Sequence, residues 1–346
     1  MTTLIKSLTQ SKFIFTLLGV AALGYLVYQY GPGSLVRDLR TAGWFSLVLV
    51  LTFIPTLICY AWAWLLCSDL PGPGGKALVN GKRTLIFTKM MAISIAWNNL
   101  TPFLKVGGEP AKVLMLKKYL GFSKALESTI IYNLIHALAT LGSFILAASL
   151  LLLFYPLNPG IRFLAIIIIL AGIAIGFFAL FLPYLWHKWM IKTSLSLPIT
   201  HKNGWRKFNW IRRTLIGLIW TVRKTFFYYK KHPYRLGVAF GLEIFARFIE
   251  GLTFYCAFYL LNHPISLVAS ALLDVGRTLV DTLFFFIPYQ VGSREQGVLF
   301  FLENILGYSS AGYLTATFLY RFVEIVWVVI GYAFWTRSKR ATTSLI

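Results

Sequence analysis

Residues 102–125 read PFLKVGGEPAKVLMLKKYLGFSKA, and residues 288–311 read PYQVGSREQGVLFFLENILGYSSA. At an offset of 186 and with no gap, Pro102, Glu109, Leu116, Leu120, Gly121, Ser123 and Ala125 meet Pro288, Glu295, Leu302, Leu306, Gly307, Ser309 and Ala311. Self-similarity at one fixed spacing is the mark of a duplicated unit. The same offset carries the apolar stretch 44–66 onto 230–252, so the unit reaches well upstream of its motif.

The chain around the motifs is written for lipid. Of 346 residues, 58% are hydrophobic and 13% charged, whereas about a quarter of a soluble domain is charged. Stretches 13–30, 44–66, 126–154, 161–182, 235–260 and 311–335 are apolar and hold the roughly 18–20 residues needed to cross about 30 Å of hydrocarbon as a helix. Six spans are expected. Regions 84–120 and 267–306, which carry the motifs, are apolar but broken by Pro, Gly and charge. The net charge of +22 would suit a nucleic-acid binder. The Lys and Arg residues lie between the apolar stretches, however, where they set orientation and meet anionic headgroups, so no nucleic-acid partner is expected. Cys59, Cys67 and Cys256 have no paired ligand spacing and read as small buried hydrophobes. The 13–30 stretch ends in Gln29-Tyr30-Gly31-Pro32 without a small-residue cleavage site, so it reads as a first span.

Between Pro183 and Leu242 lie 12 Lys or Arg and no Asp or Glu, which assigns the connection 183–234 to the cytoplasm. Six spans then place both termini inside, with Lys6, Lys12, Lys76, Lys82, Arg83, Lys89, Arg337, Lys339 and Arg340 on that face and Arg37, Arg40 and Arg162 outside. Within the connection, Phe208, Ile211, Leu215, Leu218 and Val222 form one face of an amphipathic helix with Trp205, Trp210 and Trp220. It lies either along the inner leaflet or against the bundle. On this map span 126–154 starts inside and span 311–335 starts outside. The repeats 44–154 and 235–335 are therefore inverted, and 84–120 and 267–306 are re-entrant hairpins entering from opposite faces. The expected fold is a single integral membrane domain, residues 1–346, all-α and polytopic. Irregular backbone at membrane depth needs protein or water around it. Inverted repeats with broken helices are the layout of many secondary transporters, although such a duplication can also serve as scaffold in a membrane enzyme.

The first tip runs Asn98-Asn99-Leu100-Thr101-Pro102-Phe103-Leu104-Lys105-Val106-Gly107-Gly108-Glu109-Pro110. It predicts a helix with Pro110 as first residue, running to about Leu120. In the second tip, Ser293 and Gln296 have capping-box spacing for a helix running to about Leu306. Helix amino termini aimed inward attract anions. Lys105 and Arg294 add full charges, though Lys105 can instead snorkel to headgroups. Glu109 and Glu295 either hold an amine or a proton, or cap their own helices. Glu243, Arg247, Glu250, Asp274, Arg277, Asp281, Arg321 and Glu324 are costly in lipid and call for partners or a polar cavity. Helical spacing offers Arg247 with Glu243 or Glu250, Arg277 with Asp274 or Asp281, and Arg321 with Glu324 as structural pairs. Alternatively, Arg277 and Arg321 line one cavity with Arg294. Asn133 and His136 are lesser candidates. The candidate substrate-binding set is Asn99, Lys105, Glu109, Arg277, Arg294, Glu295 and Arg321, supported by Pro102, Gly107, Gly108, Pro288, Gly292 and Ser293.

At these motifs the chain resembles the flippase-like family, also called the lysylphosphatidylglycerol synthase transmembrane region. The resemblance is carried by Asn99, Pro102 through Gly107-Gly108-Glu109, Gly121-Phe122-Ser123-Lys124-Ala125, Ile287-Pro288 through Gly292, Glu295, Gly307 and Arg321, and covers roughly residues 15–335. Two departures stand out: Lys112 replaces an Arg expected after the Gly-Gly pair, and Tyr132-Asn133 replaces an acidic-Arg pair. The resemblance implies movement of a phospholipid or other polar-headed (glyco)lipid between leaflets by alternating access. It also implies an anionic or zwitterionic headgroup as partner, a multi-pass protein of the bacterial inner membrane, and no cofactor or metal. Few residues follow Arg340, so a stand-alone member is expected. The alternatives are a membrane-embedded transferase acting on a lipid-linked substrate and a non-catalytic accessory subunit. No Asp-x-Asp pair, His-x4-Asp dyad or phosphatase signature supports the transferase, although Asp274 and Asp281, two helical turns apart, can share a face.

Overall fold

The structure is a computed structural model that describes residues 24, 25, 27, 28, 31–68, 81–100, 107–194 and 231–343, with backbone alone at 179–194, 288 and 338–343. Every described element is helical. After α1 (Pro32–Ala42) and a 3-10 turn (Gly43–Leu47) come α2 (Leu49–Leu66), α3 (Gly81–Leu100), α4 (Gly108–Leu120), α5 (Phe122–Phe154) and α6 (Pro159–Ser194). There follow α7 (Pro233–Glu250), α8 (Leu252–Leu260), α9 (Leu267–Leu283), α10 (Ser293–Phe300), a π turn (Phe301–Ile305) and α11 (Tyr313–Thr343). The amphipathic helix expected near 205–222 lies outside the described residues, as does most of the 13–30 span.

Four helices are long and apolar enough to cross a bilayer: Leu49–Leu66, Phe122–Phe154, Pro159–Phe178 and Tyr313–Arg337. They coincide with four of the six expected spans. Helices α7 and α8 together cover the expected 235–260 span, but Glu243, Arg247 and Glu250 and a break at Gly251 interrupt its apolar run. The need for lipid is plainest in α6, which packs chiefly on α5 and leaves Phe163, Leu164, Leu170, Ile173, Phe177 and Phe178 exposed. At about 25 cal/mol per Å² of apolar surface, a helix so bare on most of its circumference is stable only with hydrocarbon around it. This is an integral multi-pass membrane protein.

The offset of 186 read from sequence can be applied to the helices. Moved by 186 residues, α2, α3, α4 and α5 fall on 235–252, 267–286, 294–306 and 308–340, which are the places of α7, α9, α10 with its π turn, and α11. Packing follows the same rule. The pairs α2/α3, α3/α4 and α4/α5 are matched by α7/α9, α9/α10 and α10/α11. Between units, α2 packs on its own counterpart α7, while α3/α11 answers α5/α9 and α5/α7 answers α2/α11. Such exchange of partners is what an approximate two-fold axis between the units requires.

The matched glycines have a local cause. Gly121 and Gly307 both have left-handed backbone, at φ 75° and 70°, a region costly for a residue with a Cβ. Each ends one helix and redirects the chain into the next. Gly108 serves differently: a Cβ there would sit 2.5 Å from the Ser94 backbone oxygen, so α3 and α4 meet only because the side chain is missing.

Two boundary expectations need correction. Helix α4 begins at Gly108, which makes Pro110 its third residue and not its first; its missing amide hydrogen still falls in the first turn, where none is needed. Helix α10 is capped one residue earlier than expected. Gly292 is the N-cap and its amide donates to Glu295 Oε2 at 2.8 Å, whereas Ser293 Oγ is buried without a hydrogen-bond partner. Gly292, at φ 82°, makes the sharp entry that a serine could not.

Candidate functional site

A cavity of about 670 Å³ lies between the two units. Tyr60, Asn98, Asn99, His136 and Thr140 line it from the first unit, and four arginines, Arg247, Arg277, Arg294 and Arg321, line it from the second. Three of these arginines are heavily paired. The guanidinium of Arg294, 2% exposed, donates from Nε and Nη2 to both oxygens of Asp281 at 3.0 and 2.6 Å, and from Nη1 to Glu324 at 2.6 Å. Arg277 donates to Asp274 at 2.8 Å, to Asp281 at 2.9 Å and to Thr278 at 3.2 Å, with its face 4.5 Å from the centre of the Tyr320 ring. Arg321 donates to Glu295 at 2.6 Å and to the carbonyls of Tyr289 and Gln290 at 3.0 and 3.1 Å. Tyr289 and Gln290 both have positive φ, at 54° and 49°. A single guanidinium thus holds two strained peptides and one buried carboxylate at the start of α10.

The arginines expected to receive a headgroup therefore line the cavity already neutralised. Arg277 takes both Asp274 and Asp281, not one of them, and these carboxylates, which share a face as expected, have Arg277 between them. Arg321 pairs with Glu295 rather than Glu324, which goes to Arg294. Glu295, fully buried, both caps α10 and holds Arg321. One amide at each of the two helix amino termini is also taken: the Gly108 amide donates to Asn98 Oδ1 at 2.7 Å and the Gly292 amide to Glu295. Glu109 lies away from the cavity lining, where it accepts from Lys112 Nζ at 3.1 Å and from Asn133 Nδ2. Of the supporting residues, Gly107 and Gly108 open α4 and Pro288 sits in a short 3-10 turn. Pro102 and Lys105 lie outside the described residues.

Arg247 differs from the other three. Its Nη2 reaches His136 Nε2 at 2.8 Å and Thr140 Oγ1 at 2.9 Å, and its face lies 5.8 Å from the Tyr60 ring centre. Its Nε is buried with no acceptor. Among the described residues no carboxylate is within ion-pair distance of it, because Glu243 turns to His136 Nδ1 at 2.7 Å and Glu250 accepts from Tyr60 and Tyr320 at 3.1 and 3.2 Å. Sequence spacing offers Glu243 or Glu250 to Arg247. The partners that draw them off belong to helices remote in sequence, so only the fold shows Arg247 as the cavity arginine without a carboxylate among the described residues. One further orphan faces the cavity: Gln290, 4% exposed, whose Oε1 has no donor.

A profile of the lysylphosphatidylglycerol synthase TM region matches residues 12–331. The chain belongs to that family. It is also 33% identical over 108 residues to a UPF0104 membrane protein of Methanothermobacter thermautotrophicus (strain Delta H), a match covering 31% of this chain and 30% of that protein. No solved structure matches.

Within this synthase-region protein the two departures from the family motif prove to be neighbours. Lys112 Nζ lies 4.6 Å from the centre of the Tyr132 ring and 3.2 Å from Asn133 Oδ1, and both Lys112 and Asn133 bond Glu109. Lys112 is 4% exposed, a depth at which a lysine needs the carboxylate, the amide and the aromatic face together. The two changes thus meet on one carboxylate.

Proposed function

We propose that this protein carries a polar-headed lipid between the two leaflets, its headgroup passing through the cavity between the units while the tails stay in the bilayer. The observation that carries this reading is a polar cavity of about 670 Å³ inside a helical shell with apolar flanks. That volume fits the usual range for a small-molecule site, about 300–1,000 Å³, and suits a headgroup better than a whole diacyl lipid. The approximate two-fold relation of the units supports alternating access, in which two similar arrangements open the cavity to either side in turn. Inverted insertion, cytoplasmic termini and hairpins entering from opposite faces belong to the same proposal, as does a cytoplasmic membrane as its place. The family membership supports a lipid as cargo.

The test is purified protein in vesicles that carry fluorescent phospholipids of several headgroups. Loss of outer-leaflet fluorescence to a membrane-impermeant quencher should be faster than in protein-free vesicles. Thr282→Trp should slow the movement by placing an indole in the cavity, while folding should be little affected, since the Thr282 hydroxyl bonds only its own helix at Thr278 O, 2.7 Å away. A wild-type protein that moves none of the lipids sinks the reading.

A further inference from the structure

We propose that an anionic phosphodiester docks on Arg247 and that its arrival brings one proton onto Nε2 of His136. The proposal deepens the lipid-transport reading and rests on it for the source of the phosphodiester.

The reasoning starts from donors and acceptors. A guanidinium only donates, so His136 Nε2, 2.8 Å from Arg247 Nη2, is held as an acceptor. The imidazole is therefore neutral, and its proton sits on Nδ1, pointing at Glu243 Oε2 2.7 Å away. In this state His136 cannot be protonated at Nε2, because two donors and two positive charges would face each other at hydrogen-bond distance. Arg247 acts as the lock. It is also the cavity arginine with no carboxylate in ion-pair distance and with a buried, acceptorless Nε, so it is the one that an incoming anion can engage without breaking an existing ion pair. An anion that accepts from Arg247 draws it away from Nε2. The freed nitrogen then faces a negative oxygen, takes up a proton that the buffered solvent supplies through cavity water, and becomes a second donor to the same anion. The imidazolium formed has its counter-charge in place on Nδ1, because Glu243 is fully buried behind it and its second oxygen, Oε1, has no hydrogen-bond partner. The His136 side chain is 39% exposed and lines the cavity, so water can deliver the proton.

Other groups around the pair come from several helices. Tyr60 and Cys59 approach from α2, Tyr132 from α5 and Lys112 from α4, while Glu250 lies on α7 and Asp274 on α9. The Tyr60 and Tyr132 rings lie 5.8 Å from the imidazole, centre to centre. None of these groups bonds Nε2, whose one partner among the described residues is Arg247. The sign of the linkage follows: the ligand-bound form holds more protons than the free form, so affinity rises as pH falls.

The test is calorimetric titration of the detergent-solubilised full chain with dihexanoyl-phosphatidylglycerol, in two buffers of different ionisation enthalpy, over about pH 6 to 8. Dimethyl phosphate, the same anion without tails, is titrated in parallel. The expected result is net uptake approaching one proton per ligand and affinity rising up to about tenfold per pH unit where uptake is complete. In His136→Gln the amide can still accept from Arg247 and donate to Glu243 but cannot titrate, so uptake should vanish and affinity should lose its pH dependence. Glu243→Gln, which removes the counter-charge, should cut uptake, and Arg247→Gln should weaken binding of either probe at least tenfold. Binding without uptake, equal uptake in His136→Gln, undiminished binding in Arg247→Gln, or no binding of either probe overturns the proposal. These outcomes leave lipid movement in the vesicle assay free to succeed or fail by itself. Uptake with dimethyl phosphate alone supports the site but removes the lipid as its source.

Discussion

Replacing Arg321 by Met removes three hydrogen bonds at once and leaves a fully buried carboxylate, Glu295, with only the Gly292 amide to solvate it. Breaking a buried ion pair on one side costs about 3–5 kcal/mol. The released carbonyls of Tyr289 and Gln290 belong to strained residues, whose left-handed backbone costs about 1–2 kcal/mol each and is no longer held. Relaxation of that strain offsets part of the lost bonding, so the loss should fall within that range. The double variant Arg321→Met with Glu295→Gln removes the orphan charge, and its amide oxygen keeps the Gly292 cap, so it should recover about half of the loss. Heating in detergent with a fluorogenic thiol dye reads both variants, because Cys59 and Cys67 are buried and become reactive only on unfolding. At roughly 2 °C per kcal/mol for a chain of this size, the single variant should melt about 6–10 °C below wild type and the double about 3–5 °C below. A single variant within about 2 °C of wild type, or a double variant that melts no higher than the single, would refute the claim that Arg321 acts by neutralising Glu295.

The equivalent carboxylate in the first unit should be more forgiving: Glu109 is 33% exposed where Glu295 is fully buried, so Lys112→Met should cost less than half of what Arg321→Met costs in the same melting assay. Gly121→Ala and Gly307→Ala should destabilise by similar amounts, about 1–2 kcal/mol each, since both glycines have φ near 70°; a neutral result at either would remove the backbone explanation of that match. Gly108→Ala should cost more than either, because its Cβ would sit 2.5 Å from the Ser94 backbone oxygen, which cannot swing aside, as well as against the Ser94 and Asn98 side chains. For the proposed topology, single cysteines at Ser266 and Ser194, in a background with Cys59, Cys67 and Cys256 changed to Ala, should label from opposite sides of sealed vesicles. Labelling from one side would defeat the inverted arrangement.

Much of the helix plan was legible because lipid makes burial of the backbone obligatory and leaves apolar length as its signature. The matches at Gly121 and Gly307 could be found for a related reason: a left-handed turn needs the same residue wherever it recurs. The pairing of charges was not legible. Spacing along a helix offered Arg321 to Glu324 and Arg247 to Glu243 or Glu250, but a guanidinium on a long stem takes whichever acceptor the tertiary packing puts before it, and those acceptors came from residues 26 to 111 positions away. The capping of α10 was misplaced for a smaller reason. Ser293 is a better N-cap than Gly292 by propensity alone, yet the chain must turn with positive φ at Gly292, and Glu295 in the third helical position accepts the Gly292 amide hydrogen.

The three saturated arginines and all their acidic partners lie on helices α7 to α11, whereas the first unit meets the second through bonds of another kind: Tyr60 to Glu250, Thr52 to Thr253, Trp327 to the Val50 carbonyl, and the Arg247 and Glu243 contacts with His136 and Thr140. The neutral bonds across this seam, Thr52 to Thr253 and Trp327 to Val50, contribute about 1 kcal/mol each and those to a charged group about 1.5–3 kcal/mol, and all can be exchanged for bonds to water. Severing an ion pair inside the network costs about 3–5 kcal/mol. Under the proposed alternating access the network would travel as a sealed cassette, and genetics should sort accordingly. Lesions inside the cassette should lower the amount of folded protein, with second-site suppressors arising among its own residues. Lesions along the seam should leave abundance intact and change turnover, with suppressors arising in the opposite unit.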